Sequence, residues 1–479
     1  MSDRDTVRDL ARWVLALDAA RLPAAVIEQA KLLILDSIGC GLAALEDETA
    51  GKILATIEGL GGAPQCTVLG QPGKTSVTNA VLANGTLIRV LDLNDFIIGS
   101  ADEGPVIGGH PSDNIAVALA VGEWRQSSGR DVIAAVVIGY EIYDRLKDLM
   151  VRPSPWDGTS VSGIVAPAMA GRLLGLDEDR LAHAMALGAA RAATSAIVRS
   201  GMISAAKSIS NPLSAQAGTL AALMAAQGMT GPLAVFDHPS GLHQVFKAGD
   251  ELASLTRPLA DDFAIMEANV KAYPCLATGQ TAVAAAIEMH GKLGGGTDTV
   301  DRIEVIMADY PFIQRQQDDA DRRHPTLHEA ADHSFHFLVA VSLMDGALTP
   351  SQFEGERWFD PVIVALMDRI TLHRDENWNR RAPNSYPCAI RVVTRDGDEH
   401  MTEAPYPPGI SDGGLDAAVV KEKFDAVTGP ALSQAEKDAI KDTVMRLDAL
   451  SSISDLMDKL AAKGQGKRKP AGPSLAAAR

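Results

Sequence analysis

Two carboxylates and a histidine are the residues most suited to chemistry. Asp92 and Asp95 sit in Leu91-Asp92-Leu93-Asn94-Asp95-Phe96, and His110 opens His110-Pro111-Ser112-Asp113-Asn114. An unperturbed imidazole titrates near ~6.5, so His110 can give or take a proton at neutral pH. Pro111 suits a first helical position, where its missing N–H costs nothing. That puts His110 at the N-cap of a helix running to about Arg125. A helix N-terminus favours the neutral ring and offers free N–H groups to a carboxylate. Asp92 and Asp95 lie three apart and share a face if the helix over 79–88 continues through them. They could then orient a histidine or act on a proton directly. The bland alternative is a solvated helix end, a capping histidine and a loop between them. Residues 97–109 hold four glycines and one proline and read as that loop.

The elements that position these residues are mainly helical. The chain has 479 residues, 46% hydrophobic and only 4% aromatic, which is too long for one core and implies two domains. Helices are expected over 6–17, from Pro23, and over 50–60, 112–125, 130–149 and 159–175. Asp177 caps the next, and Pro212 begins one through Ala226. Residues 194–211, with Arg199 and Lys207, read as a polar loop. From 262 the character changes. Strands are expected over 300–307 and 370–373, and a hairpin at 389–394 and 400–403 turns on Asp396-Gly397, with helices at 279–292, 327–345 and 359–367. Helices return at 415–427, 433–446 and 453–462, too few for a domain of their own. The expected organisation is a large helical domain (1–262 and 405–462), an inserted smaller α+β domain (263–404) and a disordered tail (463–479).

The net charge of -17 argues against non-specific binding to nucleic acid or anionic membrane. An anionic substrate would need local cations to overcome that field. Cys40, Cys66, Cys275 and Cys388 are widely separated and form no cluster, which fits a reduced cytoplasmic protein. The first residues carry no signal-peptide pattern, and no apolar run reaches the ~18 residues that span a bilayer. No P-loop and no GxGxxG before a helix is present, so no nucleotide cofactor is expected. His324 and His328 could share a metal only if a helix began before Pro325, and no metal is expected.

LDLND paired with GHPSDN resembles the MmgE/PrpD family of 2-methylcitrate dehydratases, cis-aconitate decarboxylases and an iminodisuccinate epimerase. The GHPSDN form is closest to the dehydratase branch, and the likeness spans roughly residues 5–462. It implies a helical domain with an α+β lid, a homodimer, and no cofactor or metal. It makes the stretch holding Asp92 and, more weakly, Asp95 and Ser112 an active-site lining, with His110 catalytic. Lys207, in Ser204-Ala205-Ala206-Lys207, matches a family lysine that contacts substrate. Lys271, in Val270-Lys271-Ala272-Tyr273-Pro274, resembles the family's K-x-[YF]-P segment. Two such lysines suit a polycarboxylate, and one could stabilise the charge that develops when a proton leaves carbon beside a carboxylate. Arg199 is a weaker member of the group. Gln280-Thr281-Ala282 and Asp332-His333 resemble dehydratase segments, making Gln280 and His333 substrate-contacting or orienting residues.

The chain departs from relatives at Phe96 (often Thr), at Asp157 (often a nearby His), around Thr278 (often a His close by) and at Phe337 (Tyr). The resemblance implies a cofactor-independent lyase, of hydro-lyase type, acting on a small di- or tricarboxylate. The alternatives are a dicarboxylate epimerase or isomerase, a decarboxylase of cis-aconitate type, or a binding scaffold that has lost catalysis.

Overall fold

Helix accounts for 62% of the described residues and strand for 10%, which settles the mainly helical class. The structure is a computed structural model that describes residues 5–101, 104–151, 154–242, 245–246, 249–258, 262–381, 385–408, 415–429 and 431–462. The tail expected at 463–479 lies outside the described residues, as do positions 409–414 of the expected domain junction.

The first helices are α1 (Thr6–Ala16), α2 (Ala24–Ala43), α3 (Glu48–Leu60), α4 (Val77–Arg89), α5 (Ile115–Arg125), α6 (Gly129–Leu149), α7 (Ser162–Leu174), α8 (Glu178–Ala189) and α9 (Ala206–Ala226). Caps fix several starts. Asp5, Asp47, Ser128 and Asp177 each accept a first-turn N–H of α1, α3, α6 and α8, groups that a helix start leaves bare. Small residues let α7, α8 and α9 close on one another. A Cβ at Gly188 would stand 2.2 Å from the Gly163 carbonyl oxygen, so a side chain there would force the helices apart.

Two segments differ from the sequence expectation. Helix α9 begins at Ala206, not Pro212, so Pro212 lies inside it and Lys207 stands in its first turn rather than in a loop. Residues 96–101 and 104–109 form paired strands instead of a loop. After a short ladder of β1 (Cys66–Thr67) and β2 (Lys74–Thr75), strand β3 (Phe96–Ala101) pairs antiparallel with both β4 (Gly104–Gly109) and β5 (Ala268–Asn269). Gly109, at φ +119, ends β4, and the second partner of β3 arrives from a remote segment.

The second half contains α10 (Gln280–Lys292), β6 (Val300–Ala308), α11 (Pro311–Asp318), α12 (Ala320–Arg323), α13 (His328–Ala331), α14 (Phe335–Asp345), α15 (Pro361–Met367), β7 (Ile370–Asp375), α16 (Glu376–Arg381), β8 (Cys388–Thr394) and β9 (Glu399–Ala404). The sheet order is β7-β6-β8-β9, with β6 and β7 parallel and the other pairs antiparallel. The single helix expected over 327–345 is broken. Ser334 caps α14 by accepting the Phe337 N–H, and Asp332 and His333 occupy the break. The last helices are α17 (Ala417–Val427), α18 (Gln434–Met445) and α19 (Ser454–Leu460).

The apolar residues form two cores. Helices α1–α9 share one core with Val420, Phe424, Ile440, Val444 and Leu456 of the last three helices. Cys275 through Ala404 build the other. Phe263, Ile265, Ala268 and Val270 pack into the first core.

Candidate active site

Helix α4 stops at Arg89, and the chain turns through Val90–Asp95. Asp92 adopts φ +48, a left-handed conformation that aspartate tolerates better than most residues. The shared helical face expected of Asp92 and Asp95 therefore does not exist, and the two carboxylates meet different partners.

Asp92 is the centre of a buried charge cluster. Lys271 Nζ donates to its Oδ1 at 2.7 Å and to its carbonyl at 2.8 Å. Lys207 Nζ donates to Oδ2 at 3.3 Å, and Arg89 makes a close contact with Oδ1. Arg89, Asp92, Lys207 and Lys271 are each 1% exposed or less. Burial alone would raise the Asp92 pKa. Arg89, Lys207 and Lys271 outweigh it and hold the carboxyl well below its usual range. Burial lowers the Lys271 pKa, with Asp92 opposing the fall. The Lys271 turn is held by Gln280, which accepts the Ala272 and Tyr273 N–H groups at 3.0 and 3.1 Å and donates to the Tyr273 carbonyl.

The second core supplies Asp332 and His333. Lys207 Nζ donates to Asp332 Oδ2 at 3.0 Å, and Asp332 Oδ1 holds His333 Nδ1. His333 Nε2 lies 3.7 Å from Asp92 Oδ2. Burial raises the Asp332 pKa, but Lys207 overcomes it and brings the value down to about 2. Burial and Lys207 lower His333 to about 4, so its ring is neutral at pH 7. With 13% of its side chain exposed, His333 is more open than Asp92 or either lysine.

His110 approaches from the start of the short 3-10 turn Pro111–Asn114 that leads into α5. Its Nδ1 lies 2.5 Å from the Asp95 carbonyl oxygen. A carbonyl only accepts, so the geometry assigns the proton to Nδ1 and leaves the Nε2 lone pair unprotonated. Burial, then Arg89 and Lys271, lower its pKa well below 6.5. That is the state a general base requires.

Asp95, Ser112 and Gln280 are fully buried and bonded within the protein. Asp95 accepts the Ser112 hydroxyl and, at 2.6 Å, the Tyr140 hydroxyl. Burial pushes its pKa up to about 7. Asn94 donates to Ser112 Oγ and to Asp113 Oδ1, both at 2.9 Å. Asp157 caps the turn Gly158–Val161 through the Thr159 N–H and accepts Arg199 Nε at 2.7 Å. Arg199 keeps 32% of its side chain exposed. Phe96 and Phe337 are both fully buried, and Phe337 packs on Phe353 and Trp358, so neither departure adds to the charge cluster. His324 and His328 lie in separate helical ends, against Asp368 and Asp47.

Sequence reasoning passed over Arg89 and Tyr140, and left Asn94, Asp113 and Asp332 in its motifs without a role. Arg89 did leave a signal, as the one charged residue of α4. Asp92, Asp332 and His333 place possible ligand atoms within 4.8 Å of one another. Lys207 Nζ already stands 3.0–3.3 Å from all three, so an ammonium takes the position a metal ion would need.

Residues 8–255 match the MmgE/PrpD N-terminal domain, and residues 273–449 match the MmgE/PrpD C-terminal domain. The chain belongs to the MmgE/PrpD family. Similar relatives include a cis-aconitate decarboxylase-like protein of Aspergillus oryzae, 24% identical over 94% of this chain and 96% of the relative. A 2-methylcitrate dehydratase of Cupriavidus necator is 26% identical over 79% of this chain and 81% of the relative. The cis-aconitate decarboxylase of Mus musculus is 24% identical over 95% and 93%. In this MmgE/PrpD chain, Asp92, His110 and Lys207 come from the N-terminal match and Asp332 and His333 from the C-terminal one. Lys271 lies in the short span between them. No helix among the described residues is long and apolar enough to cross a membrane.

Proposed function

We propose that this chain is a lyase of small tricarboxylates that begins by removing a proton from carbon beside a carboxylate. The observation that carries the reading is the knot of Arg89, Lys207 and Lys271 around Asp92, with a neutral His110 close by. In a chain of net charge -17, Arg89, Lys207 and Lys271 make a local site for a polyanion whose carboxylates compete with Asp92 and Asp332 for them. His110 Nε2 takes the proton. Lys207 and Lys271 bind carboxylates and stabilise the enolate-like charge. Asp92, ionised throughout, aligns the lysines.

In dehydration the C–O bond then breaks, and the hydroxide leaves as water after taking a proton from His333. Burial and the Lys207 charge keep His333 neutral in the free enzyme; a bound trianion offsets the second, and the ring takes that proton from solvent as substrate binds. In decarboxylation a C–C bond breaks instead, CO2 leaves, and carbon takes two protons, the one His110 removed and one from solvent, for a net uptake of one. The dehydratase reading comes first, on the resemblance of GHPSDN and Gln280-Thr281-Ala282. The named relatives are dehydratases and decarboxylases, and they lend the epimerase alternative no support.

The same reading makes residues 275–404 a lid. The reacting groups are nearly all buried, so a tricarboxylate reaches them when the second core moves away, and closure then excludes water. Hydrogen exchange that ligand leaves unchanged across 275–404 would count against this. The reaction is taken to be cofactor-independent and the enzyme to be a cytoplasmic homodimer, which sedimentation of the purified protein checks for its mass.

Proton NMR in deuterated buffer, with 2-methylcitrate, citrate and cis-aconitate, tests the reaction. Loss of water or CO2 is expected and names the bond broken. Deuterium entering carbon without elimination, or silence across the panel, overturns the reading. A folded His110→Ala variant with full turnover would sink the mechanism.

A further inference from the structure

Three carbonyls of the turn that carries Asp92 are each gripped by a buried side chain from a distant segment. Lys271 Nζ holds the Asp92 carbonyl at 2.8 Å, His110 Nδ1 the Asp95 carbonyl at 2.5 Å, and Lys423 Nζ the Leu93 carbonyl at 2.7 Å. The first two already belong to the site. Lys423 does not. It comes from α17, 330 residues further along the chain.

The Lys423 ammonium also meets Asp36 Oδ1 of α2 at 2.6 Å, with the side chains 9% and 1% exposed. Helix α17 can come this close because α2 carries no side chain at Gly39. A Cβ there would stand 3.0 Å from Phe424 Cδ2, on the residue beside Lys423. A buried ion pair is a poor source of stability, since desolvating two charges offsets their attraction. Packing therefore does not account for this lysine. Its bond to the Leu93 carbonyl does. The Leu93–Asn94 peptide lies between Asp92, which reaches Lys207 and Lys271, and Asn94, which reaches Ser112 and Asp113. Fixing that peptide fixes both sides of the site.

We propose that Lys423, seated on Asp36, is a positioning residue that locks the Leu93 carbonyl and so sets the reach of Asp92 toward the two catalytic lysines. The proposal rests on the reading of this turn as the active site. Lys423 touches no substrate. It acts through the backbone, where a displacement of about 1 Å costs on the order of 100-fold in rate.

Lys423→Met alone would strand a buried carboxylate, so the test is the pair Asp36→Leu with Lys423→Met, which removes both charges at similar volume. The expected result is a melting temperature near that of the parent, kcat lower by about 10- to 100-fold and KM within about 3-fold. Hydrogen exchange at the amides of Val90–Phe96 is expected to quicken, with the α2 and α17 helices unchanged. Lys423→Arg keeps the charge beside Asp36 but moves the donor. It is expected to lower kcat several-fold and to loosen the same amides, and it decides the matter should the double variant not fold. Parental kcat and parental exchange in the folded variants overturn the proposal. A parent inactive on the whole panel would count against the proposed reaction alone. The exchange of Val90–Phe96 would then judge Lys423 by itself.

Discussion

Replacing Lys271 with methionine is expected to silence the reaction and leave the fold standing. Lys271 is fully buried, and its ammonium makes two bonds to Asp92, at 2.7 Å to the carboxylate and 2.8 Å to the carbonyl. Burying an ammonium costs several kcal/mol, and attraction to a buried partner roughly offsets that cost. Methionine matches the stem and removes the charge. Asp92 is not stranded, because Arg89 and Lys207 stay beside it. The net stability change should then be ~1–2 kcal/mol, a shift of about 5 °C or less in melting temperature. Activity should respond far more. Losing one oxyanion donor costs about 100- to 1,000-fold in kcat. Losing a charged hydrogen bond to a substrate carboxylate costs a further ~1.5–3 kcal/mol, seen in KM. Thermal melting by circular dichroism and NMR turnover measure the two separately. A kcat/KM within tenfold of the parent would refute the catalytic role. A fall of more than 10 °C with turnover retained would mark Lys271 as structural.

Four further outcomes are expected. Asp92→Asn leaves three buried cations short of their shared partner and should lower stability by about 3–5 kcal/mol in urea unfolding; an unchanged midpoint would remove Asp92 from the centre of the network. His333→Gln should keep solvent deuterium exchange at the substrate carbon, the work of His110, while elimination falls. Equal loss of both would deny His333 a separate step. The acid limb of kcat/KM should lie below pH 6.5, because the free enzyme holds His110 below that value and the base is lost only when its ring gains a proton; a midpoint at or above 6.5 contradicts the assigned environment. Asp95 has its folded pKa raised to about 7, so the folded state binds the extra proton and this group's stabilising contribution is lost as pH rises from about 4 through 7. Asp95→Asn should therefore gain stability relative to the parent between pH 5 and pH 8, and a difference that stays flat with pH would exclude a titrating Asp95.

The sequence determined most of the helices and the candidates for the reacting groups. Helix starts follow from local rules, as Ser128 and Asp177 show by capping α6 and α8 where a polar residue precedes an apolar run. His110, Asp92, Lys207 and Lys271 stand in short motifs, and a motif is local by construction. Wherever a remote partner decides the local state, the sequence fell short. The glycines of 97–109 read as a loop, but β3 and β4 pair there, and β5 joins them from a remote segment at Phe96 and Ile97. Pro212 looked like a helix start, yet α9 begins six residues earlier and brings Lys207 onto the helix. Asp92 and Asp95 look alike in the chain. One is held ionised by three cations and the other is raised toward neutrality by burial, and only the positions of Arg89, Lys207 and Lys271 on one side and of Ser112 and Tyr140 on the other separate them. The physical reason is that a side chain's chemistry is written in its own residue, whereas its charge state and direction are set by neighbours that meet it only after the chain has folded.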